Sequence, residues 1–436
     1  MSIYLLTQVC RSCLRRGAGV GGMSRFSRLG YKPVIQSNSY ATGGPDPGRL
    51  VNPEYISKSS IDLSSVPELE PSQMLSSRVG ELFRFSTRAL KAFEKFEVPH
   101  SVRSDWKPTP VPTTTLRKAS VELVSKLERA SEEEPSSQKC LLALNGAAGS
   151  GKSTVLLHGV SYAVQKRWIV LYIPDVQPLV GGRYGYEYCS KSQIFHQNSL
   201  SSTILSRLLS LNDLSGLIVK NSKELFGTRD EQFVEAQDPP ISTGLPLTSL
   251  IQMGIQNPHF GPVVLDAVLE ELSQQTVRPV LLAIDGAQNL FKTSGYLDGS
   301  FRPIDSFALN VPRLLVSFAR GTRKMSKGLT VLSASSLDTT SKSVAWESVI
   351  KGGKLPSGYI WPGWGAYGEL AKPISDIPKI EVENLELREA AGVARGLEIT
   401  KQLFGPLSDR IFARHFVSSG GNAREFRREI KHQLAF

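Results

Sequence analysis

Cysteine is scarce in this chain, with four among 436 residues, too few for a disulfide scaffold. Only Cys10 and Cys13 form a C-x-x-C pair. No second pair or histidine set at ligand spacing accompanies them, and they lie in an Arg-rich leader rather than between a strand and a helix, so neither zinc nor redox chemistry is expected. Long apolar runs are missing too. Runs such as Cys140 to Leu144 and Val280 to Ile284 have the length of one buried strand, far below the roughly 18 to 20 residues of a membrane helix. Acidic residues are absent from the first 45 positions, where Arg11, Arg15, Arg16, Arg25, Arg28 and Lys32 interleave with Leu5, Leu6, Val9 and Leu14. An Arg-rich, Ser-rich, acid-poor leader over residues 1–45 predicts a mitochondrial transit peptide, the alternative being a basic arm that touches nucleic acid. Its removal would lower the net charge from +11 to +5, which permits RNA binding without demanding it.

What is present is ordinary globular composition, 40% hydrophobic and 21% charged, in a chain long enough for two or three domains. Residues 46–112 read as an N-terminal arm followed by amphipathic helices over 77–97, on the spacing of Val79, Leu82, Phe83, Leu90, Phe93 and Phe96. A Pro-rich connector, 107–113, and a helix over Thr115 to Ala130 follow. From residue 113 to about 370, strand-like runs alternate with helices, predicting an α/β domain with a largely parallel sheet. Its strands are expected at Cys140–Leu144, Trp168–Ile173, Val280–Ile284 and Leu329–Ser333, with a long insertion at about 177–262 carrying a helix near Leu200–Leu211. An aromatic, Gly-rich loop including Trp361 to Gly365 precedes three helical stretches within 371–436, read as a C-terminal helical domain.

One motif carries chemistry. Gly146-Ala147-Ala148-Gly149-Ser150-Gly151-Lys152-Ser153 satisfies G-x-x-x-x-G-K-[ST], the P-loop pattern, with an apolar strand running into it and an apolar-periodic helix, from Thr154, running out. The glycines let the backbone turn its N–H groups inward at a helix start, making an anion nest. Lys152 adds a point charge for the outer phosphates, and the Ser153 hydroxyl suits Mg²⁺. Val280 to Asp285, an apolar strand ending in a carboxylate, supplies the second half of such a site, with Asp285 holding Mg²⁺ directly or through water.

A water-polarising Glu normally follows that Asp, and here the position is Gly286. Hydrolysis is therefore expected to be slow or absent, with Gln288 or another neighbour a poorer substitute. Ser335, at the end of the Leu329–Ser333 strand, is a candidate γ-phosphate sensor or simply the polar end of a buried strand. Arg424, just inside a helix start after Gly420-Gly421-Asn422, is a candidate to reach the nucleotide. No N-K-x-D element is present, so these residues leave guanine and adenine both open. Basic residues also collect at Arg313, Arg320, Arg323, Lys324 and Lys327 and at Arg410, Arg414, Arg424, Arg427, Arg428 and Lys431. Either set fits RNA phosphates or a solvated helix face.

The leader, Gly146–Ser153, Trp168–Asp175 with its Ile-Pro-Asp ending, and Leu281–Gly286 together resemble the mitochondrial small-subunit ribosomal protein S29 family, also called the death-associated protein 3 family, in a fungal-like form. The resemblance runs from about residue 80 to the C-terminus, with 177–262 poorly matched. It implies a P-loop NTPase (AAA+-like) fold with a C-terminal helical lid. It also implies a structural protein of the small ribosomal subunit in the mitochondrial matrix, holding GTP or GDP with Mg²⁺ and turning it over little or not at all. Ribosomal RNA and neighbouring ribosomal proteins would be its partners, with no DNA and no membrane span. The rival readings are a soluble mitochondrial ATPase or remodelling factor, and a nucleotide-dependent switch.

Overall fold

The computed structural model describes residues 63–109, 111–132, 140–225, 241–334, 343–350, 364–403 and 406–432, all within one compact unit, Asn52–Phe436. The leader, the Cys10 and Cys13 pair, Ser335 and Trp361 lie outside the described residues. No described helix is long and apolar enough to cross a membrane.

Five strands, β1 Leu141–Asn145, β2 Ile169–Ile173, β3 Val280–Asp285, β4 Gly328–Ser333 and β5 Lys379–Glu381, form one parallel sheet in the order β5-β1-β4-β3-β2. Their side chains alternate between two cores, as a pleat buried on both faces requires. Leu141, Ala143, Leu171, Leu282 and Leu332 face one core, and Leu142, Leu144, Val170, Leu281 and Val331 face the other.

The described helices of seven residues or more are α1 Thr87–Phe96, α2 His100–Trp106, α3 Lys118–Glu132, α4 Lys152–Gln165, α5 Asn198–Leu211, α6 Leu247–Gln256, α7 Gly261–Gln274 and α8 Asn310–Ala319. They are followed by α9 Val344–Ile350, α10 Trp364–Ala371, α11 Leu387–Ile399, α12 Asp409–Ser418 and α13 Ala423–Lys431. Helices α1, α3 and α4 cover one face of the sheet through Phe93, Leu123 and Leu157. The other face is covered by α5 to α8, through residues such as Leu205, Leu250, Val268 and Leu315. The stretch read as a long insertion thus supplies much of a covering layer. The α/β sheet architecture follows directly from the alternation of apolar strands and helices.

Two expectations change. Residues 77–97 are not helical throughout, because Leu82–Arg84 is a strand paired antiparallel with Thr113–Thr115, and only Thr87 onward is α1. Val79, Leu82 and Phe83 have helical spacing by coincidence, whereas Ser86 caps α1 by accepting from Ala89 N at 3.3 Å. The connector at 107–113 gives way at its end to the returning strand, and the next helix starts at Lys118 rather than Thr115.

Helices α11 to α13 close around a small apolar core of Leu385, Ala390, Ala394, Leu397, Phe426 and Ile430. The Phe412, Phe416 and Phe426 rings pack against one another there. α11 lies against the two-stranded sheet at close range: a Cβ on Gly392 would come within 2.2 Å of Gly80 O.

Candidate functional site

The loop between β1 and α4 begins at Gly146, and Gly151 starts α4 in the left-handed region, at φ 98°. A side chain at Gly146 would strike Val382 O, 2.3 Å from its Cβ position. All five carbonyls from 146 to 150 accept hydrogen bonds. Lys152 Nζ donates to Gly146 O at 2.8 Å and to Ala147 O at 2.7 Å. Asn422 Nδ2 donates to Ala148 O at 2.8 Å, Arg424 N to Gly149 O at 3.0 Å, and Arg117 Nη1 to Ser150 O. These bonds fix the path of the loop from both sides, and Ser150 N closes a turn within it by donating to Ala147 O at 3.2 Å.

Two of those donors come from the start of α13, where Asn422 also caps the helix by accepting from Glu425 N. A third comes from a buried ion pair. Arg117 Nε donates to Glu389 Oε2 at 3.1 Å, with the two side chains only 7% and 2% exposed, and Arg117 Nη2 donates to Glu383 O at 2.8 Å. Glu389 also accepts from Lys118 N at 2.9 Å. The pair therefore ties the loop to α3 and to α11.

Beside the loop, Asp285 at the end of β3 is fully buried. Gly286 N donates to its Oδ1 at 2.9 Å, whereas Oδ2 has no hydrogen-bond partner. Burial pushes this carboxyl up to about 6, against the pull of the nearby Ser153 and Ser333 hydroxyls and the Gly286 N–H. Burial lowers the Lys152 ammonium, and Asp285 partly restores it. Asp175 follows β2, its carboxyl raised by burial and pulled back by the Gln177 N–H and by Lys292.

A cavity of about 820 Å³ opens over this group. It is lined by Gly149, Gly151 to Thr154, Asp175 and Asp285, by Phe85, Pro99 to Val102 and Ser104 to Trp106, and by residues of α11 and α13. Its volume lies within the range of small-molecule sites. The orphaned Asp285 Oδ2, the equally orphaned Ser333 Oγ and the Ser153 hydroxyl make an all-oxygen donor set, which fits a hard cation such as Mg²⁺. Among the described residues no three His, Cys, Asp or Glu side chains cluster for a metal, so such an ion would need oxygens from a ligand as well.

The predicted residues Gly149, Gly151, Lys152, Ser153, Thr154, Asp285 and Arg424 thus share one cavity. Gly146, Ala147, Ala148 and Ser150 shape the loop. The basic residues divide. Arg427 and Lys431 turn toward the cavity wall and share Asp105, at 3.4 and 3.8 Å. Lys431 is lowered to about 8 by its burial and by Arg427. Arg323 pairs with Asp266 at 2.6 Å, while Arg313, Lys324, Arg410 and Arg414 are exposed.

Sequence reasoning did not find Arg117, Glu389, Asn422 or Asp105 as parts of this site. Asn422 after two glycines was a readable helix cap. Arg117 and Glu389 are 272 positions apart, and nothing local marks either.

Comparison with known proteins gives a consistent answer. The "Small ribosomal subunit protein mS29" of Neurospora crassa is 25% identical over 350 residues, covering 76% of this chain and 71% of that protein. The bovine protein of the same name is 24% identical, covering 52% of this chain and 56% of its own length, and the mouse one is 26% identical, covering 40% and 43%. The family model described as mitochondrial ribosomal death-associated protein 3 matches residues 114–429, from the strand before Arg117 almost to the end of α13. The chain that builds this cavity therefore belongs to the mitochondrial ribosomal death-associated protein 3 family.

Proposed function

We propose that this protein is a structural component of the mitochondrial small ribosomal subunit and holds a nucleotide with Mg²⁺ in the Gly146–Ser153 loop. The family match over residues 114–429 carries the ribosomal part. The fully bonded loop carbonyls beneath the cavity carry the nucleotide part.

On this reading residues 1–45 are a transit peptide that delivers the chain to the matrix, 113–370 a P-loop NTPase domain and 371–436 its helical lid. Support for the lid comes from the hydrogen bonds of Asn422 and Arg424 to the loop. Lys152 neutralises phosphate charge, Ser153 and Asp285 take the cation, and Arg424 stands near the phosphates. GTP or GDP is the nucleotide that the family resemblance implies, with ATP the competitor. The exposed Arg313, Lys324, Arg410 and Arg414 suit ribosomal RNA phosphates. With Gly286 in place of a Glu, the ligand serves mainly to stabilise the fold by mass action.

Sedimentation of mitochondrial lysate through a high-salt sucrose gradient tests the ribosomal part. Co-migration with small-subunit ribosomal RNA is expected, and migration as a free protein or small ring would refute it in favour of a soluble ATPase or switch. Nucleotide released from the purified protein by acid is expected to be guanine, and to be lost in Lys152→Ala.

A further inference from the structure

The neighbouring strand fills the gap that Gly286 leaves. Ile173 on β2 lies opposite Ile284 on β3, so two residues further on Asp175 comes beside Gly286. A Cβ built on Gly286 would be 3.0 Å from Asp175 Oδ1. The carboxylate of Asp175 therefore stands against the place from which a Glu side chain would have grown. It is held there: its Oδ1 accepts from Gln177 N at 2.9 Å, and Val176 N donates to Asp285 O at 3.1 Å. Gln177 is itself fixed by Lys292 Nζ at 3.0 Å.

Asp175 lines the same cavity as Lys152, Ser153 and Asp285. A second, independent feature points to a ligand there. Asp285 Oδ2 and Asn289 Oδ1 belong to cavity-lining side chains 0% and 1% exposed, and neither atom has a hydrogen-bond partner.

We propose that Asp175 is the water-activating carboxylate of this cavity, acting on a nucleoside triphosphate from the end of β2 in place of a Glu after Asp285. The inference rests on the nucleotide reading and goes beyond it, because it gives the site a hydrolytic activity. In the step, the oxygen of a water oriented by Asp175 bonds to the γ-phosphorus as the bond from that phosphorus to the bridging oxygen breaks. The electron pair leaves with the nucleoside diphosphate. The water proton passes to Asp175 and from there to the released phosphate.

The test uses the full chain with γ-labelled GTP and, separately, ATP under single-turnover conditions. Fluorescent-nucleotide affinity is measured alongside, together with retention of a nucleoside diphosphate and aluminium fluoride, which mimics the transferring phosphoryl group. Asp175→Asn is expected to slow hydrolysis by about 100-fold, as loss of a general base does. Nucleotide affinity should stay within about twofold while the aluminium fluoride complex is lost, so misfolding is separable from loss of the base. Unchanged hydrolysis in Asp175→Asn overturns the proposal. Wild-type protein that binds triphosphate and never hydrolyses it also overturns it, and leaves the structural-ligand reading standing. Wild-type protein that binds no nucleotide overturns both.

Discussion

Asp285→Asn should stabilise the protein while removing the cation-dependent nucleotide binding proposed for its cavity. The Asp285 side chain is fully buried, one of its oxygens is unpartnered, and its carboxyl is pushed from an ordinary 3.8 up to about 6. The folded protein thus keeps this proton to higher pH than the unfolded chain does. The group favours folding below about pH 4, and that contribution is lost as the pH rises through about 6. At about 1.4 kcal/mol per pH unit the ionised side chain costs about 3 kcal/mol at neutral pH. Asn has the same shape and no charge, and its amide can donate to the nearby Ser333 hydroxyl. The variant is therefore expected to gain up to about 3 kcal/mol at pH 7.5 and nothing at pH 4. Urea denaturation followed by tryptophan fluorescence from pH 4 to 8 measures the difference. His158 tilts the same window the other way. It is buried between Thr114 and Ser120 and lowered to about 3, so its contribution is complete above pH 6.5 and lost in acid. It is present in both proteins and cancels in the difference. A gain that does not vary with pH, or a destabilised Asn variant, would refute the reasoning.

Two further outcomes follow from the contacts around the loop. Glu389→Ala strands the buried Arg117 guanidinium and should cost about 3–5 kcal/mol in urea denaturation; Arg117→Met combined with Glu389→Leu should recover at least half of that, and a single-variant cost below about 1 kcal/mol would contradict it. Gly392→Ala drives a methyl group into Gly80 O and should cost about 1–3 kcal/mol in the same measurement, whereas Arg395→Ala on the exposed side of α11 should stay within about 0.5 kcal/mol.

Four of the five sheet strands were legible because each carries four to six consecutive buried residues beside a helix of clear period. β5 was not, since it has three residues and only Ile380 is buried. The Leu82–Arg84 strand was misread because three apolar residues cannot distinguish a period of 3.6 from chance. The Gly146–Ser153 loop was legible for the opposite reason: its glycines, Lys152 and Ser153 act within one turn of chain. Arg117, Glu389 and Asn422 act on that loop only because the sheet order brings distant segments to it, and strand order leaves no local trace. Asp175 lay in the Ile-Pro-Asp ending, but its closeness to Gly286 depends on β2 and β3 being neighbours.

The same strand order sets a timetable. β1, the first sheet strand to be synthesised, pairs only with β4 and β5, the last two. A chain made from its N-terminus forward can join β2 to β3 and β3 to β4 as each appears, while β1 waits unpaired with an apolar edge open. Such distant pairings are slow to find and favour aggregation in the interval. The loop waits longer still, because two of its carbonyls are held by Asn422 and Arg424. On the nucleotide reading, grip on a phosphate would report that synthesis has run past residue 424, and a product stopped earlier would carry the whole sequence motif without those two bonds.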